Sequence, residues 1–166
     1  AEKAAMLEKS FIDHIAAGHG LVAFHGAITM QNNSPEFSKM LGGSFDYHPK
    51  QQDVTCNPVD PSHPIVRHFK GKPLIHHDEP YIFKNAYNEK NFHPLLEMDC
   101  SKMGAKVQSD KRYVSWIKKH KQGRVFYCSP SHNAHSFEKP ELLQFILNGI
   151  QYAAGDLKCD DRPLKK

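Results

Sequence analysis

The stretch GLVAFHGA, residues 20–27, decides how this chain is read. A short apolar run, Leu21 to Phe24, passes straight into His25, and Gly26 follows. A run of this kind, bounded by glycines and set close behind a helix, has the pattern of a strand buried on both faces of a parallel sheet. The sequence therefore predicts an interior strand over residues 20–25. In open α/β sheets, ligands bind beyond the carboxyl ends of the strands. His25 stands at such an end, and Gly26 is expected to let the backbone bend there.

Outward from this strand the pattern stays α/β. Upstream, EKAAMLEKSFIDHIAA (2–17) predicts an amphipathic helix with Leu7, Phe11 and Ile15 on one stripe and Gly18 as its stop. Downstream, NSPEFSKMLGG (33–43) predicts a short helix, with Ser34 as cap, Pro35 at the first position and Gly42 at the end. Residues 44–112 are irregular and rich in Pro, Asp and Asn. Within them QDVTCN (52–57), the part of PLIHHDEPYIF (73–83) before Pro80, and HPLLEMDC (93–100) read as strands. HPIVRHF (63–69) reads as a helical turn, and KMGAKVQSDKR (102–112) as a loop or partly ordered excursion. YVSWIKK (113–119) and GRVFYC (123–128) flank HKQG as a hairpin. PELLQFILNGIQYAA (140–154) is the clearest helix, with Leu143, Ile146 and Ile150 on its apolar face. Residues 1–156 are thus expected to form one domain. The polar tail, residues 157–166, is expected to fray.

Composition narrows the class. The chain has 166 residues, enough to bury a real core, with 39% hydrophobic and 24% charged residues. No run approaches the roughly 20 apolar residues of a membrane span. AEKAAMLEKSF carries charges where the apolar part of a signal peptide would lie. A leader already removed would leave no trace, so the compartment stays open between cytoplasm and an exported, periplasmic or secreted location. The net charge of +4 is scattered, apart from WIKKHK (116–121) and the terminal RPLKK. These are read as solvated surface, and no nucleic-acid partner is expected. Cys56, Cys100, Cys128 and Cys159 form no CxxC pair, so a thiolate zinc site is not expected, and no disulfide is demanded. The anomaly is twelve histidines. Imidazole is the side chain best suited to proton transfer near neutral pH and to metal binding.

Five stretches, in order, resemble the ThuA-like or trehalose-utilisation family: GLVAFHGA (20–27), FSKMLGGSFDYHP (37–49), DPSHPIVRHF (60–69), HDEPY (77–81) and GRVFYCSPSHNAHSFEKPELLQFILNGIQYAAGD (123–156). The resemblance implies a flavodoxin-like fold related to the class I glutamine amidotransferases: a mostly parallel sheet flanked by helices. It also implies a role in carbohydrate metabolism. Two departures stand out. The family's βαβ-type segment ahead of the first helix has no counterpart here, so strands are expected to be missing at the N-terminal side. The exposed edge is then expected to be met by a further segment or by a second copy in a homo-oligomer. And Ser131 stands where the family has glycine before the motif histidine, His132.

The same residues suggest the chemistry. The amidotransferase relatives place a cysteine nucleophile on a strand-to-helix turn of this kind. Here that turn reads Phe24, His25, Gly26, so glutamine hydrolysis is not expected. His25 is a candidate general base or metal ligand. In HHDEPY (76–81), alternation puts His76 and Asp78 on one side and His77 and Glu79 on the other. The resemblance singles out Glu79, while Asp78 reads equally well as a solvated acidic edge. In CSPSHNAH (128–135), His132 matches the motif histidine, and His135 is a substrate-binding candidate with a surface reading of equal weight. Cys128 reads as a small buried hydrophobe rather than a nucleophile. His48 and Tyr81 are substrate-binding candidates, and His63 shapes a turn. Tyr47, Phe83 and Trp116 are available for sugar stacking, with core packing the better reading for each.

Three functions are weighed. The leading one is an enzyme acting on a sugar or keto-sugar derivative, a hydrolase, lyase or isomerase, with His25, Glu79 and His132 as acid–base groups. A divalent metal, zinc by preference, would sit on His25 and His132. No nucleotide cofactor is expected, since GLVAFHG lacks the glycine spacing for one. The second is a non-catalytic sugar-binding or interaction module on a degenerate fold. The third, an amidotransferase, lacks its cysteine. The discriminating feature is convergence of titratable groups on one point.

Overall fold

The structure is a computed structural model that describes residues 2–104, 106–107 and 111–164. Part of the segment read as an excursion, 102–112, therefore lies outside the described residues. Three helices run Glu2–Ala16 (α1), Pro35–Leu41 (α2) and Pro140–Ala154 (α3). Eight strands run Gly20–Phe24 (β1), Ser44–Tyr47 (β2), Gln52–Pro58 (β3), Leu74–Asp78 (β4), Ile82–Lys84 (β5), His93–Asp99 (β6), Lys111–His120 (β7) and Gly123–Cys128 (β8). Local sequence accounts for the ends of α2. Ser34 Oγ accepts from Phe37 N at 3.0 Å, Pro35 opens the helix, and Gly42 closes it at φ +102.

Six strands form one sheet in the order β1-β8-β7-β6-β3-β4, and β2 pairs with β5 separately. The fold is α/β, but the sheet is mainly antiparallel: among the described residues β1–β8 is the one parallel pair. The expectation of a mostly parallel sheet fails because parallel neighbours need a crossover of about a dozen residues or more. The strands from β3 onward are paired instead by reversing the chain, most tightly at β7–β8, where Lys121 takes φ +52.

Strand β1 is not interior either. It pairs with β8 on one side and forms an edge of the sheet. Its apolar run reflects what lies above and below it, not what lies beside it. Hydropathy reports coverage of faces, and a strand can be covered on its faces while lacking an in-plane neighbour.

The two faces of β8 show the layering. Phe126 meets Phe145 of α3, with ring centroids 5.4 Å apart. Tyr127 meets Trp116 and Phe83, on the side of α2 and the small β2–β5 sheet. Trp116 Nε1 donates to Leu41 O at 2.8 Å, tying β7 to the end of α2. Trp116 and Phe83 are therefore core aromatics, as their better reading had it.

Both amphipathic faces need correction. In α3 the buried side is Leu142, Phe145, Ile146, Gly149 and Tyr152, while Leu143 and Ile150 face out. The helix is apolar nearly all round, so the stripe alone does not choose. Gly149 chooses: a Cβ there would lie 2.2 Å from the Phe126 ring, so only glycine lets the helix sit this close. In α1, Ile15 is buried but Leu7 and Phe11 are exposed. The tail is bonded to the body at two points: His63 Nε2 donates to Asp160 O at 3.0 Å and His93 Nδ1 to Arg162 O at 2.7 Å.

No helix of the described residues is long and apolar enough to cross a membrane.

Candidate functional site

The parity of the sheet places the site. With β8 parallel to β1 and each later neighbour antiparallel, β1, β8, β6 and β4 all point the same way. Their carboxyl ends share one end of the sheet. His25 follows β1, Ser129 to His132 follow β8, and Glu79 follows β4. In a flat sheet β1 and β4 would stand five spacings apart, roughly 24 Å. Instead His25 Nε2 lies 3.3 Å from Glu79 Oε2. The sheet is curled until its opposite edges meet, and the site lies where they meet.

His25 is held firmly. It opens a 3₁₀ helix, His25–Thr29, and is itself the left-handed residue at φ +34. The bend expected at Gly26 is thus taken by His25, a strained position of the kind that collects at functional sites. Its Nδ1 lies 2.8 Å from Ser129 O, and its carbonyl accepts from Tyr127 Oη at 3.0 Å. A carbonyl can only accept, so Nδ1 carries the hydrogen and Nε2 presents its lone pair to the site. Burial pushes the His25 pKa below its ordinary value, against the opposing pulls of Ser129 and Glu79.

Glu79 leaves the alternation of β4 because the strand ends at Asp78, just ahead of Pro80. Residues from both sides of the alternation thus reach the site: Asp78 from the inner face, Glu79 from beyond the strand end. Burial raises the Glu79 pKa. Hydrogen bonds with His25 and Gln51, with His48 and His132 nearby, outweigh it and hold the carboxyl below its ordinary range. With Nδ1 donating to Ser129 O, Nε2 donates to Glu79 Oε2 only in the protonated ring; in the neutral ring its lone pair faces that oxygen. His132 Nδ1 also lies 3.3 Å from Oε2. His25, Glu79 and His132 each offer one ligand atom, all within 4.8 Å of one another.

The other predicted residues divide. His48 Nε2 lies 3.8 Å from Glu79 Oε1, at the margin of the cluster. Tyr81 is 7% exposed, and its ring packs on His25 with centroids 3.9 Å apart. It is a wall of the site rather than an open stacking platform. His135 sits exposed on the 3₁₀ helix Ala134–Glu138, and among the described residues no hydrogen bond or ion pair links it to the cluster. Cys128 is fully buried, which pushes its thiol pKa far up and leaves it inert, in line with its reading as a small hydrophobe. Cys56, Cys128 and Cys159 carry free thiols.

Two contributors have no mark in the sequence, and a third, Asp78, is left open by it. Gln51 Nε2 reaches Glu79 Oε1 at 3.5 Å, and Asn133 Nδ2 reaches Gln51 Oε1 at 3.4 Å and His77 O at 3.0 Å. No sequence pattern marks either amide; Asn133 has only its place beside His132. Asp78, read with equal weight as a solvated edge, is 2% exposed. Its Oδ2 lies 3.0 Å from His76 Nε2, and its Oδ1 accepts from Glu79 N at 2.9 Å. Burial raises its pKa, but those two bonds overcome it and the carboxyl titrates below its ordinary range. The inward alternation of His76 and Asp78 was the available signal.

The family model for ThuA, trehalose utilisation, matches residues 3–153. A comparison with curated proteins found no match. Among solved structures, a ThuA-like protein of Parabacteroides merdae superposes with a TM-score of 0.72 at 17% identity, over 94% of this chain and 72% of that one. A ThuA-like protein of Bacteroides uniformis gives 0.73 at 22% identity, over 87% of this chain and 62% of that one. A cytoplasmic protein of Salmonella typhimurium gives 0.59 at 14% identity, over 87% of this chain and 59% of that one. At these identities the likeness is one of fold, while the family match spans nearly the whole sequence: the chain belongs to the ThuA, or trehalose-utilisation, family.

Proposed function

We propose that this chain carries the centre of an enzyme that acts on a sugar or keto-sugar derivative by acid–base chemistry around a divalent cation. The observation that carries the reading is the spacing of three acceptors. Ligand atoms about 2.0–2.1 Å from a tetrahedral ion lie roughly 3.3 Å apart. The two pairs His25 Nε2–Glu79 Oε2 and His132 Nδ1–Glu79 Oε2 both measure 3.3 Å. Two imidazoles and a carboxylate suit zinc and leave a position for water or substrate. Such an ion would polarise a substrate oxygen or lower the pKa of a bound water. Glu79 keeps Oε1 for proton transfer, and His48 stands beside it. The amides of Gln51 and Asn133 offer the donors and acceptors that sugar hydroxyls need.

The test is metal analysis and calorimetric Zn²⁺ titration of chelator-treated protein, followed by turnover of a panel of keto-sugars and disaccharides. One Zn²⁺ per chain is expected, lost in His132→Ala, together with metal-dependent turnover. Wild-type protein that binds neither Zn²⁺ nor Co²⁺ would overturn the metal. Sugar binding without turnover of any panel member would favour a non-catalytic module.

A further inference from the structure

Three of the centre's neighbours meet on one buried carboxylate. Asp78 Oδ1 accepts from the backbone N–H of Glu79 at 2.9 Å. Its Oδ2 takes His76 Nε2–H at 3.0 Å and a long bond from the backbone N–H of His132 at 3.5 Å. Glu79 stands past the end of β4 and His132 past the end of β8, so a single side chain spans the seam where the curled sheet closes. A small cavity of about 10 Å³ lies below, lined by Cys56, His76, Asp78, Met98, Val114 and Ser129 among others. His76 Nδ1, buried beside it, has no hydrogen-bond partner.

Burying a carboxylate among such neighbours costs several kcal/mol unless specific partners offset it. Aspartate is almost never found fully buried unless paired. A fold that needed only to pack the inside of the curl would place an aliphatic residue here, as it does at Val54 and Val114. Asp78 instead uses its lone pairs on the main chain of two residues that face the centre. Neither of those residues lies in a regular element that would fix it otherwise.

We propose that Asp78 is the positioning residue of this centre: by gripping the main-chain N–H groups of Glu79 and His132 it sets two of the three ligand residues, and His76 locks its carboxylate in place. Asp78 touches neither cation nor substrate. The proposal rests on the metal reading above, but its geometric core can be judged without metal.

The experiment pairs two readouts on wild type, Asp78→Asn and His76→Leu. The first is amide hydrogen exchange by NMR in metal-free protein. Asp78→Asn keeps one acceptor oxygen and puts an N–H₂ in place of the other, so exchange is expected to speed at least tenfold at whichever of the Glu79 and His132 amides faces the N–H₂, with the β8 core amides unchanged. The second is Zn²⁺ affinity together with the Co²⁺ visible spectrum. Outer partners of metal ligands typically change affinity by about 10- to 100-fold, and a loss in that range with an altered spectrum is expected for Asp78→Asn. His76→Leu leaves the carboxylate but removes its side-chain donor, so a loss of roughly tenfold or less is expected. It also provides the answer if Asp78→Asn does not fold. A variant that melts earlier yet keeps wild-type exchange at both amides, wild-type affinity and the wild-type spectrum would overturn the proposal, since that is what a packing role gives. If wild type binds no metal, the metal reading fails alone, and the exchange rates still decide Asp78.

Discussion

Two pairs of histidines sit in this molecule at the same separation. The rings of His25 and His132 have centroids 4.7 Å apart, and so do those of His63 and His93. What differs is the partner of each nitrogen. In the His63–His93 pair, two nitrogens end on the carbonyls of Asp160 and Arg162, and His63 Nδ1 accepts from Ile65 N at 3.3 Å. Those bonds fix the tail and a turn and occupy three of the four ring nitrogens; the fourth, His93 Nε2, is buried and faces no carboxylate. In the other pair only His25 Nδ1 is bonded to a carbonyl; His25 Nε2 and His132 Nδ1 face a carboxylate. Imidazole density does not separate the two places. The acceptor opposite each nitrogen does.

The sharpest way to break this contrast is to truncate both sides. Loss of a positioned acid–base group typically lowers turnover by about 10²- to 10⁴-fold. Glu79→Gln and His132→Ala are expected to fall in that range, measured as kcat on whichever panel sugar the wild type turns over. His132 is partly exposed, so its removal is expected to leave the melting temperature nearly unchanged. His25→Ala is expected to lose turnover and also about 1–3 kcal/mol of stability, because Ser129 O would be left without its donor. Wild-type turnover in both His132→Ala and Glu79→Gln would remove the distinction between the pairs.

The mirror experiment is His93→Ala. It strips the donor from Arg162 O and opens space beside His63. A cost of about 1–3 kcal/mol is expected. In a domain of this size that lowers the melting temperature by roughly 2–4 °C per kcal/mol. Turnover below the transition is expected to match wild type. A fall in kcat at unchanged stability would mean that the second pair is functional after all.

Much of the site was legible in the sequence, and much of its setting was not. His25, Glu79 and His132 each stand at the end of an apolar or extended run, and chain ends of strands are where sheets present side chains. That logic holds for a sheet of mixed direction, because β1, β8 and β4 still share an end. The edge position of β1 was invisible, since hydropathy records faces and not in-plane neighbours. So was the curl that brings β1 to β4, which depends on pairings far apart in sequence. The outward turn of Leu143 and Ile150 escaped because α3 is apolar on both sides and only Gly149 against Phe126 decides. Asp78 was undecided because alternation says which side a residue takes, not whether donors wait there.

A pH series sharpens the contrast more gently. Burial lowers the His63 pKa, with His93 beside it acting in the same direction, while Asp160 O, Asp60 and Asp160 oppose. The folded state therefore binds this proton later than the unfolded chain, whose histidines titrate near about 6.5. The stability that neutral His63 contributes is present above that value and is lost as pH falls through it toward the lower folded value. His25 shifts the same way and adds to the slope. Melting temperatures of wild type and His63→Gln between about pH 7.5 and 5.5 isolate the His63 part, since the variant keeps the parts of His25 and of His120, whose pKa burial also lowers. Parallel curves for wild type and variant would show that His63 does not titrate with unfolding.

The smallest effect belongs to the rim, where the two regions differ most in kind. The His63–His93 pair is sealed by main-chain carbonyls, whereas the cluster opens onto the exposed Gln51 and the half-buried Asn133, bonded to each other at 3.4 Å. A bond of that length at the rim contributes little to stability, so either side chain can turn to a ligand at small cost. Asn133 also holds His77 O at 3.0 Å, so it is the better anchored of the two. Asn133→Ala is expected to raise KM for the panel sugar by about five- to tenfold, the worth of one neutral hydrogen bond of roughly 1 kcal/mol, with kcat unchanged. Gln51→Ala removes one more contact, the 3.5 Å approach to Glu79 Oε1. Its loss frees that oxygen, so here KM is expected to rise while kcat shifts by a factor of about two to three. The split between the two variants is the informative quantity. A pure KM effect in both would place the amides on the substrate alone. A kcat effect as large in Asn133→Ala as in Gln51→Ala would mean that the rim orients the loop carrying His132, and that the open side of the molecule is as tightly built as the sealed one.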